Sequence, residues 1–168
     1  MTTLRVGLCT KWIDEPFTGV GLYTQKLLSH MMDLDDAPRC HLIHMQRGGD
    51  PLYGRAAAEH VFTPGLRSLW WASQDRFCRK LSSDLDVIHE PFVGFRARME
   101  CPQVLTFHDA VPLMHPEFTT RQFAMYFRRM MPKVVERADA IICNSENTRR
   151  DLVEHYRVDP GRTHVTHL

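Results

Sequence analysis

Apolar and polar positions along the chain alternate between two periods. Short β-rich runs at residues 4–9, 40–45, 61–63, 86–89, 104–107, 138–143 and 163–168 predict strands. Between them the spacing turns helical. Val20, Tyr23, Leu27, Leu28, Met31 and Met32 form one stripe, and residues 69–81 have helical spacing as well. Phe123, Tyr126, Phe127, Met130, Met131, Val134 and Val135 line one side of a third helix. That helix opens at Thr119-Thr120-Arg121-Gln122, whose T-x-x-Q spacing is that of a capping box, and Pro132 predicts a kink or split in it. Residues 145–156 read as a further helix with Asn144 or Ser145 as its N-cap. Residues 10–18 and 48–51 read as loops. Strands alternating with helices imply βαβ units. The expected fold is one α/β domain over residues 1–168, a parallel sheet covered by helices on both faces.

Composition narrows the function classes. At 43% apolar and 24% charged, the 168 residues are too hydrophobic for a disordered chain. Lys and Arg number 21 against 20 Asp and Glu, a net charge of +1, which removes the default case for a nucleic-acid partner. The five cysteines are odd in number and form no C-x-x-C pair, a pattern suited to buried, reduced thiols in a cytoplasmic protein. The N-terminal apolar stretch is too short for a signal peptide, and no run approaches the roughly 18 residues of a spanning helix.

Parallel sheets bind ligands at the carboxyl ends of their strands. Four predicted strands end there in polar groups: Gly19-Val20-Gly21 after the first, His89-Glu90, His108-Asp109, and Asn144-Ser145-Glu146. The glycines precede a helix, where backbone amides and the helix dipole suit an anion. Thr24 replaces the third glycine of a dinucleotide fingerprint, and the loop is too long for one. His108 and His89 are candidate hydrogen-bond donors or acid–base groups, with a satisfied core histidine as the alternative. His41 with His44, and His164 with His167, point to opposite faces of their strands, so no protein-held metal is expected. Arg129, Lys133 and Arg137 recur every four residues as a basic ridge on the helix that also carries Arg121 and Arg128. A solvated face and contact with an anionic lipid surface both remain open for it. Trp70 and Trp71, near Arg67, are either interfacial anchors or half-core residues.

The segments D-V-I-H-E-P, L-T-F-H-D-A-V-P-L, H-P-E-F and A-D-A-I-I-C-N-S-E-N-T-R-R-D-L, with the glycine pair, Tyr23 and Trp71-x-x-Gln74, occur in a recognisable order. In that order the chain resembles the N-terminal half of family 4 glycosyltransferases, retaining enzymes of GT-B fold, over nearly its whole length. The resemblance implies a single Rossmann-like lobe of a two-lobed enzyme, with the donor-binding C-terminal lobe absent. It implies a nucleotide-sugar co-substrate, no metal or other cofactor, and a glycan or lipid-linked acceptor. It is nearest to bacterial members using nucleotide-activated hexoses, mannose in particular.

By resemblance, His108 stands beside the transferred sugar, with Asp109 next to it as catalytic candidates. Gly19, Val20 and Gly21 approach the donor diphosphate, and His89, Glu90, Ser145 and Glu146 complete the substrate-binding set. The chain alone is expected to be inactive, as a fragment or as one subunit of a split transferase. It is expected in the cytoplasm or peripherally at the inner face of the membrane. A non-catalytic interaction module is the alternative from another class, and a nicotinamide-dependent enzyme is disfavoured by the missing third glycine.

Overall fold

A computed structural model describes residues 3–14, 18–62, 70–92 and 99–167, without the side chains of 70–75. Arg67, the side chains of Trp70, Trp71 and Gln74, and Leu168 therefore lie outside the described residues. By its internal contacts the chain divides into two units, Met1–Pro102 and Gln103–Leu168.

The first unit contains β1 (Arg5–Cys9), α1 (Lys11–Asp14), α2 (Gly19–Met32), β2 (Arg39–His44), β3 (Ala58–Val61), α3 (Trp70–Ser82) and β4 (Val87–Glu90). Its strands pair in parallel in the order β3-β2-β1-β4, with Leu8 opposite both Leu42 and His89. Alternation along the strands sends successive side chains to opposite faces. Leu8 and Leu42 bury against Leu28 of α2 and Tyr53 on one face, while Cys9, Ile43 and Ile88 bury against Cys78 and Leu81 of α3 on the other. This is the two-faced covering expected of a parallel sheet. Asp86, just ahead of β4, accepts the Arg5 amide at 2.8 Å and pairs with its guanidinium at 2.8 Å, which fixes the register of β1 on β4.

The second unit contains β5 (Gln103–Phe107), α4 (Val111–Met114), α5 (Arg121–Arg137), β6 (Ala140–Cys143), α6 (Glu146–Tyr156) and β7 (Thr163–Val165). Its strands are also parallel, in the order β5-β6-β7. Asp139 repeats the device of Asp86: its carboxylate accepts the Gln103 amide at 2.8 Å, just ahead of β6. Phe107 contacts both covering helices, with ring centroids 6.4 Å from Phe127 of α5 and 5.8 Å from Tyr156 of α6. Arg162, far along the chain, donates to the carbonyls of Val135, Glu136 and Ala138 and so closes the C-terminus of α5.

Several sequence expectations shift. α5 runs unbroken through Pro132 rather than splitting there. Pro132 is exposed, so the carbonyl freed by its missing N–H can meet water. The N-cap of α5 is Thr120, which accepts the Phe123 amide at 3.2 Å, so the capping box starting at Thr119 does not form. Residues 11–14, read as loop, form the single turn α1, and β3 precedes the run at 61–63 for most of its length. No helix among the described residues is long and apolar enough to cross a membrane.

Candidate functional site

In the first unit the sheet edge after β1 is built around α1. Asp14, its last residue, has a side chain only 3% exposed. Its carboxylate accepts from Thr10 Oγ1 (2.8 Å), His44 Nδ1 (2.9 Å), the Gly48 amide (2.8 Å) and Tyr53 Oη. Burial alone would push the Asp14 carboxyl upward, but the hydrogen bonds from His44, Tyr53, Thr10 and Gly48 outweigh it and hold the pKa below its ordinary value. Burial and the neighbouring Asp14 carboxylate push the Tyr53 hydroxyl upward, so it remains a donor. This cluster anchors α1 to the end of β2 and to the turn at Pro51–Arg55.

α1 in turn packs on the start of α2, and here the two glycines separate. A Cβ on Gly21 would strike the carbonyl oxygen of Trp12, whereas a Cβ on Gly19 would meet nothing within 4 Å. Gly21 is therefore needed for the close approach of two backbones. Gly19 leaves open space at the helix start. Thr18 caps α2 by accepting the Gly21 amide at 3.0 Å, and the amides of Gly19 and Val20 carry no hydrogen bond among the described residues. Two free first-turn donors beside an unobstructed glycine can accept an anion. Thr24, at the third glycine position, is buried and donates to the Val20 carbonyl at 2.7 Å.

Trp12 borders this edge. Its ring lies 5.2 Å from Phe92 edge-on, Lys11 Nζ lies 4.6 Å above it, and its indole N–H is buried without a hydrogen-bond partner among the described residues. His89 and Glu90, the last residues of β4, are buried at 8% and 2% exposure, and both are engaged with other groups. Their burial places them within the strand end rather than on an open surface.

In the second unit, His108 and Asp109 follow β5 and Asn144, Ser145 and Glu146 follow β6. Thr148 joins the two strand ends. Its hydroxyl lies 3.3 Å from the His108 carbonyl, 2.7 Å from Asn144 Oδ1 and 3.0 Å from Ser145 Oγ. Ser145 is the N-cap of α6 and accepts the Thr148 amide at 3.1 Å, the capping role expected of Asn144 or Ser145. Asp109 is exposed and accepts the Val111 amide at 2.9 Å, an Asx turn that opens α4. Glu146 is solvent-facing and pairs with Arg149 at 3.4 Å. His108 is half-buried. The structure thus gathers the set 108, 109, 145 and 146 within this unit and the set 19–21, 89 and 90 within the other.

Sequence reasoning missed Asp14, Trp12, Tyr53 and Thr148. A buried carboxylate between a strand end and a helix start leaves no periodic trace, and three of its four partners, His44, Gly48 and Tyr53, lie 30 to 39 residues away. No group of three or more His, Cys, Asp or Glu among the described residues is placed to hold a metal ion. All five cysteines are free thiols and buried. A cavity of about 360 Å3 in the second unit is lined by Leu113, Arg128, Tyr156 and Arg162 among others and includes none of the candidate residues.

Parallel strands flanked by helices, with a free-amide helix start after β1 and polar strand ends, define a Rossmann-like α/β lobe of the kind found in GT-B glycosyltransferases. The glycosyltransferase family 4 model matches residues 17–168, and the chain belongs to that family. Among solved structures it is similar to HepE of Anabaena, crystallised in complex with UDP (TM-score 0.61, 16% identity), covering 98% of this chain and 44% of HepE. It is also similar to a glycosyltransferase of Rickettsia africae (TM-score 0.56, 10% identity), covering 99% of this chain and 43% of that one. The chain therefore spans less than half the length of either. No curated protein matches the sequence.

Proposed function

We propose that this chain is the N-terminal, acceptor-side lobe of a retaining glycosyltransferase. The enzyme would move a hexose, mannose being the favoured candidate, from a nucleotide sugar to a glycan or lipid-linked acceptor in the cytoplasm. The observation that carries this reading is the family match over residues 17–168, taken with the unobstructed helix start at Gly19. HepE holds UDP, which agrees with a nucleotide-linked donor.

In the proposed reaction the bond from the anomeric carbon to the diphosphate oxygen breaks. The acceptor hydroxyl forms the new bond on the same face, and its proton passes to the departing phosphate. The Gly19 and Val20 amides are assigned to phosphate oxygens, where donors already in place stabilise growing negative charge without reorganising. His108, with its main chain tied to α6 through Thr148, is assigned to the sugar. The developing charge would be met by these backbone amides and by basic side chains.

The test uses the complete enzyme. His108→Ala should lower turnover by about 100-fold or more while far-UV circular dichroism stays unchanged. Wild-type turnover in that variant removes His108 from the site. The chain alone, titrated calorimetrically with nucleotide hexoses, should show no tight saturable binding; such binding would overturn the assignment of the donor to the other lobe. A chain that neither transfers sugar with its second lobe nor binds acceptor would be an interaction module instead.

A further inference from the structure

The cavity of about 360 Å3 in the second unit has a lining with a chemical bias of its own. Its walls come from α4, from α5, from the last residues of α6 and from the segment that follows. Leu113, Pro132, Val135 and Val158 make the apolar part. Arg128, Arg157 and Arg162 bring three cations, and Glu136 is the one carboxylate of the lining. With His155 neutral, the cavity carries an excess of two positive charges. The basic ridge expected on α5 divides here. Arg128 lines the cavity, Arg129 and Lys133 do not, and Arg137 is half-buried and engaged with other groups.

Three of the lining side chains have no task within the unit. Arg157 closes α6 in the left-handed conformation, φ 54° and ψ 38°, and is the one non-glycine residue with positive φ among the described residues. Glycine takes that position at helix ends without steric cost, whereas a side chain there is strained. The Arg157 guanidinium makes no ion pair or hydrogen bond among the described residues, so no internal contact offsets the strain. Arg128 has no ion pair among them either. Tyr156 lies beside Arg157, its ring edge-on to Phe107 at 5.8 Å. Its hydroxyl oxygen is buried and has no hydrogen-bond partner among the described residues. Burial pushes that hydroxyl up to about 12, so it stays a donor at neutral pH. A buried donor without an acceptor is destabilising and uncommon in native structures. Arg162 differs: it is held by the carbonyls at the end of α5 and adds charge to a fixed wall.

We propose that this cavity binds a small organic phosphate monoester. Arg128 and Arg157 meet the phosphate oxygens, the Tyr156 hydroxyl donates to one of them, and the carbon part of the ester lies on Leu113, Pro132 and Val158. Charge selects the head. A phosphate monoester carries close to two negative charges and three strong acceptor oxygens, which match an excess of two positive charges and three donor groups without partners. A carboxylate would match half of that charge. Volume selects the body: about 360 Å3 lies at the small end of ligand pockets, about 300–1,000 Å3, and suits a single ring. The site stands apart from the candidate residues. Ser145 caps one end of α6 and Tyr156 ends the other, eleven residues or about 16 Å along the axis. This inference is independent of the assignment of His108 and the glycine loop.

The test is titration of the chain with phenyl phosphate, above the second phosphate pKa of about 6, followed by amide NMR shifts. Saturable shifts are expected at Arg157 and Val158 and not at Gly19 and Val20. Inorganic phosphate, which lacks the ring, should bind about tenfold more weakly. Benzoate, which carries one charge, should bind at least about fivefold more weakly. Arg157→Gly should weaken phenyl phosphate about tenfold or more. Its melting temperature should equal or exceed that of wild type, because glycine suits the left-handed position, so lost binding is not lost folding. Tyr156→Phe should weaken binding about fivefold or more. Arg129→Ala, an exposed cation outside the lining, should leave it unchanged. The proposal is overturned by no saturable binding, by shifts confined to Gly19 and Val20, or by wild-type affinity in both Arg157→Gly and Tyr156→Phe. Inorganic phosphate or benzoate binding as tightly as phenyl phosphate would overturn it as well.

Discussion

Gly21→Ala separates two readings of the glycine pair. If both glycines served only a ligand, alanine at either would leave the free protein intact. The structure says otherwise for Gly21: its Cβ would collide with the Trp12 carbonyl oxygen, 3.3 Å from the Trp12 carbonyl carbon and 3.4 Å from Thr18 Oγ1. The obstacle is mainly backbone, so α1 must move away from α2 rather than a side chain rotating aside. Overpacking of this kind costs about 1–3 kcal/mol. Alanine returns up to about 1 kcal/mol of helix propensity. The net expectation is a loss of about 1–2 kcal/mol. For a chain of this length that lowers the melting temperature by roughly 3–8 °C. Gly19→Ala, with no atom within 4 Å, should change stability by less than about 0.5 kcal/mol. Thermal and urea unfolding followed by far-UV circular dichroism measure both. A Gly21→Ala variant as stable as wild type, or an equal fall in the two variants, would refute the packing argument.

Other consequences are as direct. Asp14→Asn should destabilise the chain by about 2–4 kcal/mol in urea unfolding, because an amide cannot accept from four donors. Its folded-state pKa lies below the unfolded value, so its contribution is present above the ordinary aspartate range and is lost as pH falls through the folded pKa. The variant should therefore show a flatter acid limb. Asp86, held down to about 2 by its bonds to the Arg5 side chain and amide, should show that depressed pKa in a carboxyl NMR titration, and Arg5→Ala should raise it only part of the way towards the ordinary aspartate value, because the backbone amide still donates. Ser145→Ala should cost about 1 kcal/mol through loss of the α6 cap, measured by urea unfolding. Burial raises the Cys9 thiol to about 12 and Cys143 to about 11, so iodoacetamide at neutral pH should leave both unlabelled until the chain is unfolded.

Strand ends and long helices were legible because burial imposes a period on them. β1, β2, β4 and β5 fall within a residue or so of their apolar runs, and Ser145 is the cap that its position suggested. What escaped notice is short or long-range. α1 is one turn and cannot show a helical period. β3 reads Ala-Glu-His-Val, alternating half-buried and exposed, so its neighbourhood of apolar residues pointed a few positions too late. In α2 the buried line is Gly21, Thr24 and Leu28, two of them not hydrophobic, while the apolar stripe mostly flanks it. The site followed the same division. Its strand-end residues could be read from where strands stop, but the Asp14 cluster joins positions that only the closed sheet brings together. The two meanings of Gly19 and Gly21 depend on a carbonyl that no motif contains.

The grip of Arg162 on the end of α5 sets an order in time. Three carbonyls of that helix take their donor from a side chain 24 to 27 residues further along. During synthesis the last turn of α5 therefore cannot be closed in its final form until the turn at Pro160–Arg162 has been made. By then β6 and α6 have also been made. The final form of this helix end therefore waits on a residue beyond the finished β6–α6 segment.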